Sequence, residues 1–286
     1  MTERRGIRVD LIFPDRATCD LYYKSLIYLS CRTCYSEKSP SEIWEDIRAG
    51  KVPEEKMEKL IESVVASGHG TTIEHINFTF AISGVSRTLT HQLVRHRHAS
   101  FDQQSQRYVK FKHPDFTLPQ SVEEVPDLSK AFQQQVEANF ELYEEMVQQV
   151  PAEDARFLFP NAVKTNLIMT TNLRELIHMS GLRLCTLAQW EIRALFKGIR
   201  HEVMNISPFF GKMLAPHCVH EGYCNEYNNR DGHCRIRPPK EQVLRIWEKY
   251  RRGELIEAAD DSIQRFPAHL QEDESGADQE GMLEKK

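Results

Sequence analysis

The order of the predicted elements favours an α+β fold, and two stretches carry this prediction. Residues 76–82 alternate apolar and polar side chains with a period of two, as a strand with one buried face requires. Residues 126–150 instead repeat apolar side chains every three to four positions, which is typical of an amphipathic helix. The chain of 286 residues shows no internal repeat and is long enough to bury a substantial core.

The first quarter of the chain predicts one strand and three helices. Residues 7–13 alternate and predict an edge or half-buried strand, and residues 17–30 predict a helix. The helix has apolar residues at helical spacing, namely Leu21, Leu26 and Leu29. A short helix over residues 40–50 follows. The next helix opens at Pro53 and stops at Gly68, since proline favours a helix start and glycine a helix end.

The strand at residues 76–82 is followed by a predicted helix and then a polar loop. Ser86 can cap the helix, because its hydroxyl can accept from a free backbone N–H of the first turn. One helix face carries residues four apart, namely Arg87, His91 and Arg95. From residue 96 to 108 no period holds, so we predict a loop there.

The second half of the chain predicts a further strand and three more helices. Residues 166–171 are apolar and compatible with a strand, and residues 173–182 predict a helix. Thr186 with Gln189 matches a capping box at the start of the next, long helix. Residues 241–256 predict a last helix. These patterns complete the α+β order of elements.

Changes in composition predict three regions along the chain. Residues 1–215 form the predicted core, and residues 216–270 a Cys- and His-rich extension of the same domain. Residues 271–286 are acidic without aromatics, which predicts a disordered tail. The extension contains possible zinc ligands, namely His217, Cys218, His220, Cys224, His233 and Cys234. Because the cysteine spacings match none of the usual zinc pairs, we predict that it binds no metal.

Charge and cysteine content narrow the class of protein. The 37 basic and 42 acidic residues give a net charge of −5, which disfavours non-specific binding to nucleic acid. The seven cysteines, an odd number, favour free thiols in a reducing compartment. No apolar stretch is long enough to span a membrane, and the N-terminus lacks an apolar signal core. We therefore predict a cytoplasmic protein without a membrane partner.

A basic island at residues 87–112 stands out in this acidic chain. Its richest part, residues 95–108, interleaves three arginines and two histidines with glutamine and serine side chains. Guanidinium groups match phosphate oxygens, and amides and hydroxyls match base edges and ribose. The island predicts a site for a phosphorylated, planar, polar ligand. The alternatives are a solvated helix face and a nucleic-acid site, for which only Phe101 and Tyr108 offer stacking surfaces.

The motifs of this region resemble those of the flavin-dependent thymidylate synthases. Arg95-His96-Arg97 is followed by seven residues and Ser105, which is the motif of that family. The segments 69–75, 172–183 and 188–192 are similar to the family in the same order. The resemblance covers roughly residues 7–210.

This resemblance implies a fold and a reaction. The family fold is α+β, with a central, mostly antiparallel sheet flanked by helices. The reaction is conversion of dUMP to dTMP, with 5,10-methylenetetrahydrofolate as carbon donor, FAD as hydride carrier and NADPH as reductant. The family forms homotetramers whose active sites are shared between subunits, and it implies small-molecule partners rather than nucleic acid.

The resemblance also implies residue roles. Arg183 matches the catalytic arginine that contacts the uracil ring, where a fixed cation stabilises developing negative charge. The positions that match dUMP-binding residues are Gln92, Arg95, Gln103, Gln104, Ser105, Arg107, Arg156 and Arg183. The positions that match FAD-binding residues are Thr71, Arg95, His96, Arg97, Gln103, Asn172, Arg174 and His178. His69 matches a histidine near the nicotinamide or folate, and Glu74 and Cys34 align near the flavin.

Several features depart from the family or allow other interpretations. Gly70 and Thr72 stand where relatives often have an acid and a proline, and neutral Gln103 stands where many have glutamate. Ser105 could instead be a nucleophile activated by a nearby histidine, whereas Cys185 is interpreted as packing. A non-catalytic nucleotide- or RNA-binding protein and a different flavoprotein remain the rival functions.

Overall fold

The fold is a four-stranded antiparallel sheet covered on one face by helices. The structure, a computed structural model, describes residues 6–112, 115–226, 234 and 237–252. The strands are β1 (Arg8–Phe13), β2 (Asn77–Ser86), β3 (Ala99–Gln103) and β4 (Lys164–Asn172). They lie in the order β1-β2-β4-β3, and every neighbouring pair is antiparallel. The predicted α+β class and antiparallel sheet are confirmed.

Helices occupy most of the remaining described chain. The α-helices are α1 (Lys24–Thr33), α2 (Pro40–Arg48), α3 (Glu54–Ala66), α4 (Arg87–Leu93), α5 (Gln120–Glu123), α6 (Pro126–Met146), α7 (Ala152–Ala155), α8 (Leu173–Arg183), α9 (Trp190–Ile206), α10 (Pro208–Lys212), α11 (His217–Glu221) and α12 (Lys240–Arg251). A π-helical segment spans Thr18–Tyr23, and 3-10 segments span Gly70–His75 and Arg156–Leu158. None of the described helices is long and apolar enough to cross a membrane.

The two faces of the sheet differ in what covers them. On the inner face, Phe78 and Phe80 of β2 and Met169 of β4 are fully buried against α1, α8 and α9. The outer face carries Thr79 and Thr170, whose hydroxyls lie 3.0 Å apart, and Ile168, which is half exposed. The core therefore lies on one side of the sheet and leaves the other face partly open.

A bulge in β2 requires glycine at position 84. The pairing of β2 with β4 shifts register between Ile82 and Val85, and Gly84 has a φ of +74°. A Cβ atom at this position would lie 2.1 Å from the backbone oxygen of Gly6. The bulge lets β2 continue to Ser86, beyond the predicted strand end at Ile82, so that the strand leads directly into α4.

The prediction for residues 17–30 has the helix right and one residue of its apolar stripe wrong. Leu26 and Leu29 are partly buried and pack against the core, as predicted. Leu21, which lies in the π-helical segment, is 76% exposed, whereas Cys19, Tyr23 and Ile27 are buried.

Three further predictions need correction. Residues 99–103, predicted as loop, form β3. This strand is held by backbone pairing with β4, since none of its side chains is fully buried. Helix α4 ends at Leu93, so Arg95 lies beyond the helix that was expected to carry it. The predicted capping box is absent, because Gln189 itself is the N-cap of α9 and accepts from the backbone N–H groups of Glu191 and Ile192.

The other predicted elements are confirmed, and the region boundaries stay predictions. The strand at residues 166–171 and the helix at residues 173–182 occur as β4 and α8. The last predicted helix occurs as α12, and its expected end at residues 253–256 lies outside the described residues, as does the predicted acidic tail. In the predicted extension, the ring of His217 lies 5.7 Å from that of His178 on α8.

Candidate active site

The candidate site begins where α4, the segment after it and the end of α8 meet. Ser86 ends β2 and caps α4, with its hydroxyl accepting from the backbone N–H of Leu89. Buried Glu191 fixes this corner, because its carboxylate accepts from both the N–H and the hydroxyl of Ser86. Gln92 near the end of α4 and His96 just after it lie beside α8, where Arg183 ends the helix.

Arg183 is held in one orientation by two acceptors. Its Nε donates to Nε2 of His96 at 3.0 Å, and its Nη2 donates to the carbonyl oxygen of Gln92 at 3.4 Å. Burial lowers the pKa of Arg183, yet a guanidinium remains protonated at neutral pH. Among the described residues, no other acceptor is recorded for Arg183, so its remaining N–H groups can serve a ligand that carries or develops negative charge.

His96 is a buried, neutral acceptor in this arrangement. Its side chain is 5% exposed, and burial, with smaller contributions from Arg183 and His178, lowers its pKa to about 4. The imidazole is therefore neutral at pH 7, which leaves the Nε2 lone pair free to accept from Arg183. On the other side of the ring, Nδ1 lies 3.5 Å from the carboxylate of Glu175, which is also buried.

A second cluster of arginines lies around α7. Arg107 is ion-paired with Glu153 at 2.8 Å, and Arg156 donates to the backbone oxygen of Glu153 at 3.1 Å. Burial and, to a smaller extent, the nearby charge of Arg156 lower the pKa of Arg87. Cations placed this close to one another are stabilised by a shared anion. Sequence reasoning missed Arg87 as a site residue, although its place in the basic island is a signal.

The predicted substrate residues of β3 and its continuation are held by side-chain contacts. The amide nitrogen of Gln103 donates to the hydroxyls of Thr90 and Thr165 at 3.2 and 3.4 Å. The side-chain oxygen of Gln104 accepts from Asn166 at 3.1 Å. The side-chain amide of Gln103 is thus held in place by hydrogen bonds, although this position lacks the carboxylate of the family pattern.

Ser105 shows no contact that would activate it as a nucleophile. Its hydroxyl oxygen accepts from the backbone N–H of Arg107 at 3.1 Å. A serine nucleophile needs a base within hydrogen-bond reach, and none of the described contacts of Ser105 involves a histidine. The hydroxyl is therefore better suited to binding a ligand than to attacking one.

A third group of predicted residues lies where the 3-10 segment Gly70–His75 meets α8. Arg174 is ion-paired with Glu74 at 2.5 Å, and its side chain lies against Gly70, where a Cβ would be 2.8 Å from Nε. The glycine that departs from the family pattern therefore makes room for Arg174. Asn172 caps α8, since its side-chain oxygen accepts from the backbone N–H of Glu175 at 2.9 Å.

The remaining predicted residues are accessible to a ligand. Exposed side chains among them are His69, Thr71, Arg95, Arg97 and His178. Cys34 is also exposed, and Thr72 is buried with its hydroxyl donating to the carbonyl oxygen of His69. The structure thus brings Gln92, His96 and Arg183 together and gathers Arg107 and Arg156 around Glu153.

The described cysteines of the Cys- and His-rich segment, Cys218, Cys224 and Cys234, are half-buried free thiols. Burial, with the nearby Cys224, Cys234 and Cys185, raises the pKa of Cys218 to about 11. Among the residues the structure describes, no group of three His, Cys, Asp or Glu side chains is arranged to hold a metal ion. His233 lies outside the described residues, so the expectation of no metal stays a prediction.

Comparisons with known proteins show the family to which the chain belongs. The family model described as thymidylate synthase complementing protein matches residues 22–209. A flavin-dependent thymidylate synthase from Geobacter sulfurreducens is 40% identical over 206 residues, covering 71% of this chain and 86% of the relative. The flavin-dependent thymidylate synthase from Pyrococcus furiosus is 39% identical over 217 residues, covering 72% and 86%. These matches confirm the resemblance inferred from the motifs.

One solved structure has a similar fold. The UMP/dUMP methylase PolB from Streptomyces cacaoi, determined with 5-Br dUMP bound, superposes with a TM-score of 0.61. The similarity covers 73% of this chain and 95% of PolB at 20% sequence identity. At that identity the match supports the fold and leaves the substrate to be argued from the site.

Proposed function

Because the chain belongs to the family of flavin-dependent thymidylate synthases, we propose that it converts dUMP to dTMP by reductive methylation. The proposed carbon donor is 5,10-methylenetetrahydrofolate, the hydride carrier is FAD and the reductant is NADPH. The observation that carries the proposal is the oriented guanidinium of Arg183, held by His96 and by the Gln92 carbonyl. A fixed cation of this kind suits an anionic pyrimidine, since its charge is in place before the reaction begins.

The arginine cluster around α7 is the proposed phosphate site. Arg107 and Arg156, with Arg87 beside them, supply guanidinium groups, and Ser105 supplies a hydroxyl. Arg107 must exchange part of its contact with Glu153 for phosphate oxygens. That exchange is feasible because the pair is about half exposed and such surface pairs contribute little stability.

The remaining dUMP contacts are proposed for the base and ribose. Gln92 lies beside Arg183, and Gln103 and Gln104 have amides held by neighbouring side chains. Arg95 is exposed next to this group. Amide groups offer both donors and acceptors, which a uracil edge and ribose hydroxyls require.

The residues predicted to hold FAD fit the chemistry of that group. FAD has a pyrophosphate and a planar polar ring, and the chain offers exposed arginines, one hydroxyl, two side-chain amides and two imidazoles for them. The residues that would hold it are Thr71, Arg95, His96, Arg97, Gln103, Asn172, Arg174 and His178. The space at Gly70 that accommodates the Arg174 side chain supports this assignment. FAD, when bound, supplies the hydride transfer for which protein side chains have no equivalent.

Arg183 is the proposed catalytic residue. Its guanidinium would lie against the pyrimidine oxygens and stabilise the negative charge that develops as C5 becomes nucleophilic. The other residues bind and orient dUMP, which converts the reaction into one between positioned groups. His69, exposed before the 3-10 segment, is proposed to lie near the nicotinamide or folate.

We further propose a homotetramer with active sites shared between subunits. Two observations support it: the open face of the sheet exposes Ile168 on a central strand, and Phe157 is 85% exposed beside Arg156. Contacts between subunits would remove both apolar side chains from water. The proposed partners are small molecules and other copies of the chain, without nucleic acid, and the proposed location is the cytoplasm.

The proposed reaction is tested by product formation. Purified protein loaded with FAD is expected to form dTMP from dUMP in the presence of NADPH and 5,10-methylenetetrahydrofolate, detected by chromatography. Omission of dUMP, NADPH or 5,10-methylenetetrahydrofolate should prevent it. A different flavoprotein would bind FAD without forming dTMP. A protein that only binds RNA would contain no flavin, and its RNA affinity would fall steeply with added salt.

A further inference from the structure

Glu175 occupies an unusual place for a carboxylate. It lies in the first turn of α8 and is only 8% exposed. Its backbone N–H donates to the Asn172 cap, whereas its carboxylate faces Nδ1 of His96 at 3.5 Å. A buried carboxylate needs a donor to offset the loss of its hydration. Among the contacts of the described residues, His96 is the side chain that can provide that donor.

The two ring nitrogens of His96 therefore have opposite tasks. A proton on Nδ1 faces Glu175, and the unprotonated Nε2 accepts from Nε of Arg183 at 3.0 Å. In the other tautomer, Nε2–H would point at the Nε–H of Arg183, and Glu175 would face a lone pair. Both contacts thus require the same tautomer, as a histidine with a carboxylate on one side and a ligand on the other generally does.

We propose that Glu175 is a positioning residue that acts through His96 to orient Arg183. The chain runs from the Glu175 carboxylate to His96 Nδ1–H, and from His96 Nε2 to Arg183 Nε–H. Glu175 in the first turn of α8 and Arg183 in its last turn thus both contact the imidazole of His96, which follows α4. The inference rests on the proposed function, since the reaction step needs Arg183 to meet the pyrimidine.

The surroundings of His96 support a fixed neutral ring. Within the described part of the chain, the titratable and charged groups recorded in contact with it are Glu175, His178 and Arg183, all from α8. Burial and the charge of Arg183, with a smaller effect of His178 at 6.2 Å, disfavour the doubly protonated, positively charged ring. A neutral His96 with one fixed tautomer is therefore the arrangement that the whole group favours.

The test uses Glu175→Gln in the FAD-loaded protein. We expect kcat for dTMP formation to fall at least about tenfold, because the neutral amide holds the tautomer less strongly. The FAD content and the rate of NADPH oxidation without dUMP should fall much less than kcat, because His96 is one of eight proposed flavin contacts, whereas Arg183 acts on dUMP. Glu175→Asp, which keeps the carboxylate but shortens the side chain, should recover part of the lost kcat.

The matched control is Glu191→Gln. Glu191 is also a buried carboxylate in the first turn of a helix, but its partners are Ser86 and Thr117 rather than His96. The control should lower Tm without the selective loss of kcat. If both variants lower Tm, FAD content and kcat in the same proportion, Glu175 has only a structural role and the proposal is wrong.

A readout independent of activity separates this proposal from the proposed function. In protein labelled with 15N-histidine, the His96 signals can be assigned by their loss in His96→Gln. We expect Nδ1 protonated and Nε2 unprotonated in the unmodified chain, with a shift toward a mixture in Glu175→Gln. Protonation of Nε2 in the unmodified chain would overturn the proposal. The expected shift without any dTMP formation would support the positioning contact while refuting the proposed reaction.

Discussion

Arg183→Ala is expected to lower kcat for dTMP formation about a hundredfold to a thousandfold, while FAD stays bound. The variant removes the cation that His96 and the Gln92 carbonyl orient, and a substitute from solvent would lack that orientation. The predicted flavin contacts involve other residues, so the flavin absorbance of the purified variant should be unchanged. Initial rates at saturating dUMP measure the loss.

The matched control is Arg193→Ala. Arg193 is also half-buried and donates to a backbone carbonyl, that of Thr186 at 2.8 Å, instead of to His96. The loss of kcat in Arg193→Ala should be at least about tenfold smaller than the loss in Arg183→Ala. Near-normal turnover of Arg183→Ala would refute the assigned catalytic role of Arg183.

Gly84→Ala, which adds one methyl group to the β2 bulge, is expected to lower the free energy of unfolding strongly. The positive φ of +74° costs an alanine about 1–2 kcal/mol. The added Cβ also meets the backbone oxygen of Gly6 at 2.1 Å, which forces β1 and β2 apart or removes the bulge. We expect a total loss of about 3–5 kcal/mol in the free energy of unfolding, measured by urea denaturation.

Gly50→Ala separates the two causes of that loss. Gly50 has a similar φ of +69°, but no atom lies within 4 Å of the position that an added Cβ would take. This control should lose only the conformational cost of about 1–2 kcal/mol. Equal losses in the two variants would show that the close approach of Gly6 to the bulge contributes nothing.

Side-chain periodicity predicted the elements that have a buried face. Phe78 and Phe80 alternate with polar residues, so β2 was evident, whereas none of the five residues of β3 is fully buried. Strand β3 is ordered by backbone pairing with β4, and that pairing joins segments about 70 residues apart in the chain. Hydrogen bonding with a distant backbone leaves no sequence pattern of its own, and the short segment of β3, unlike β4, has no buried side chains to supply one.

The candidate site was predictable in its residue types and unpredictable in its pairings. Three arginines among residues 95–108 indicated an anion site without any structure. The contact of Arg183 with His96 joins residues 87 positions apart, and that of Arg107 with Glu153 joins residues 46 apart. Glu175 carries no local signal at all, because its role follows from facing His96 after folding.

The most direct test of the central claim is a titration of the FAD-loaded protein with dUMP, followed by flavin absorbance. A pyrimidine placed against the flavin should perturb its spectrum in a saturable way, and Arg183→Ala should weaken or remove that change. Binding of dUMP is measured in parallel by equilibrium dialysis. If dUMP binds without altering the flavin spectrum, the claim that dUMP and FAD lie in one pocket is contradicted. A protein that takes up no FAD would contradict it as well.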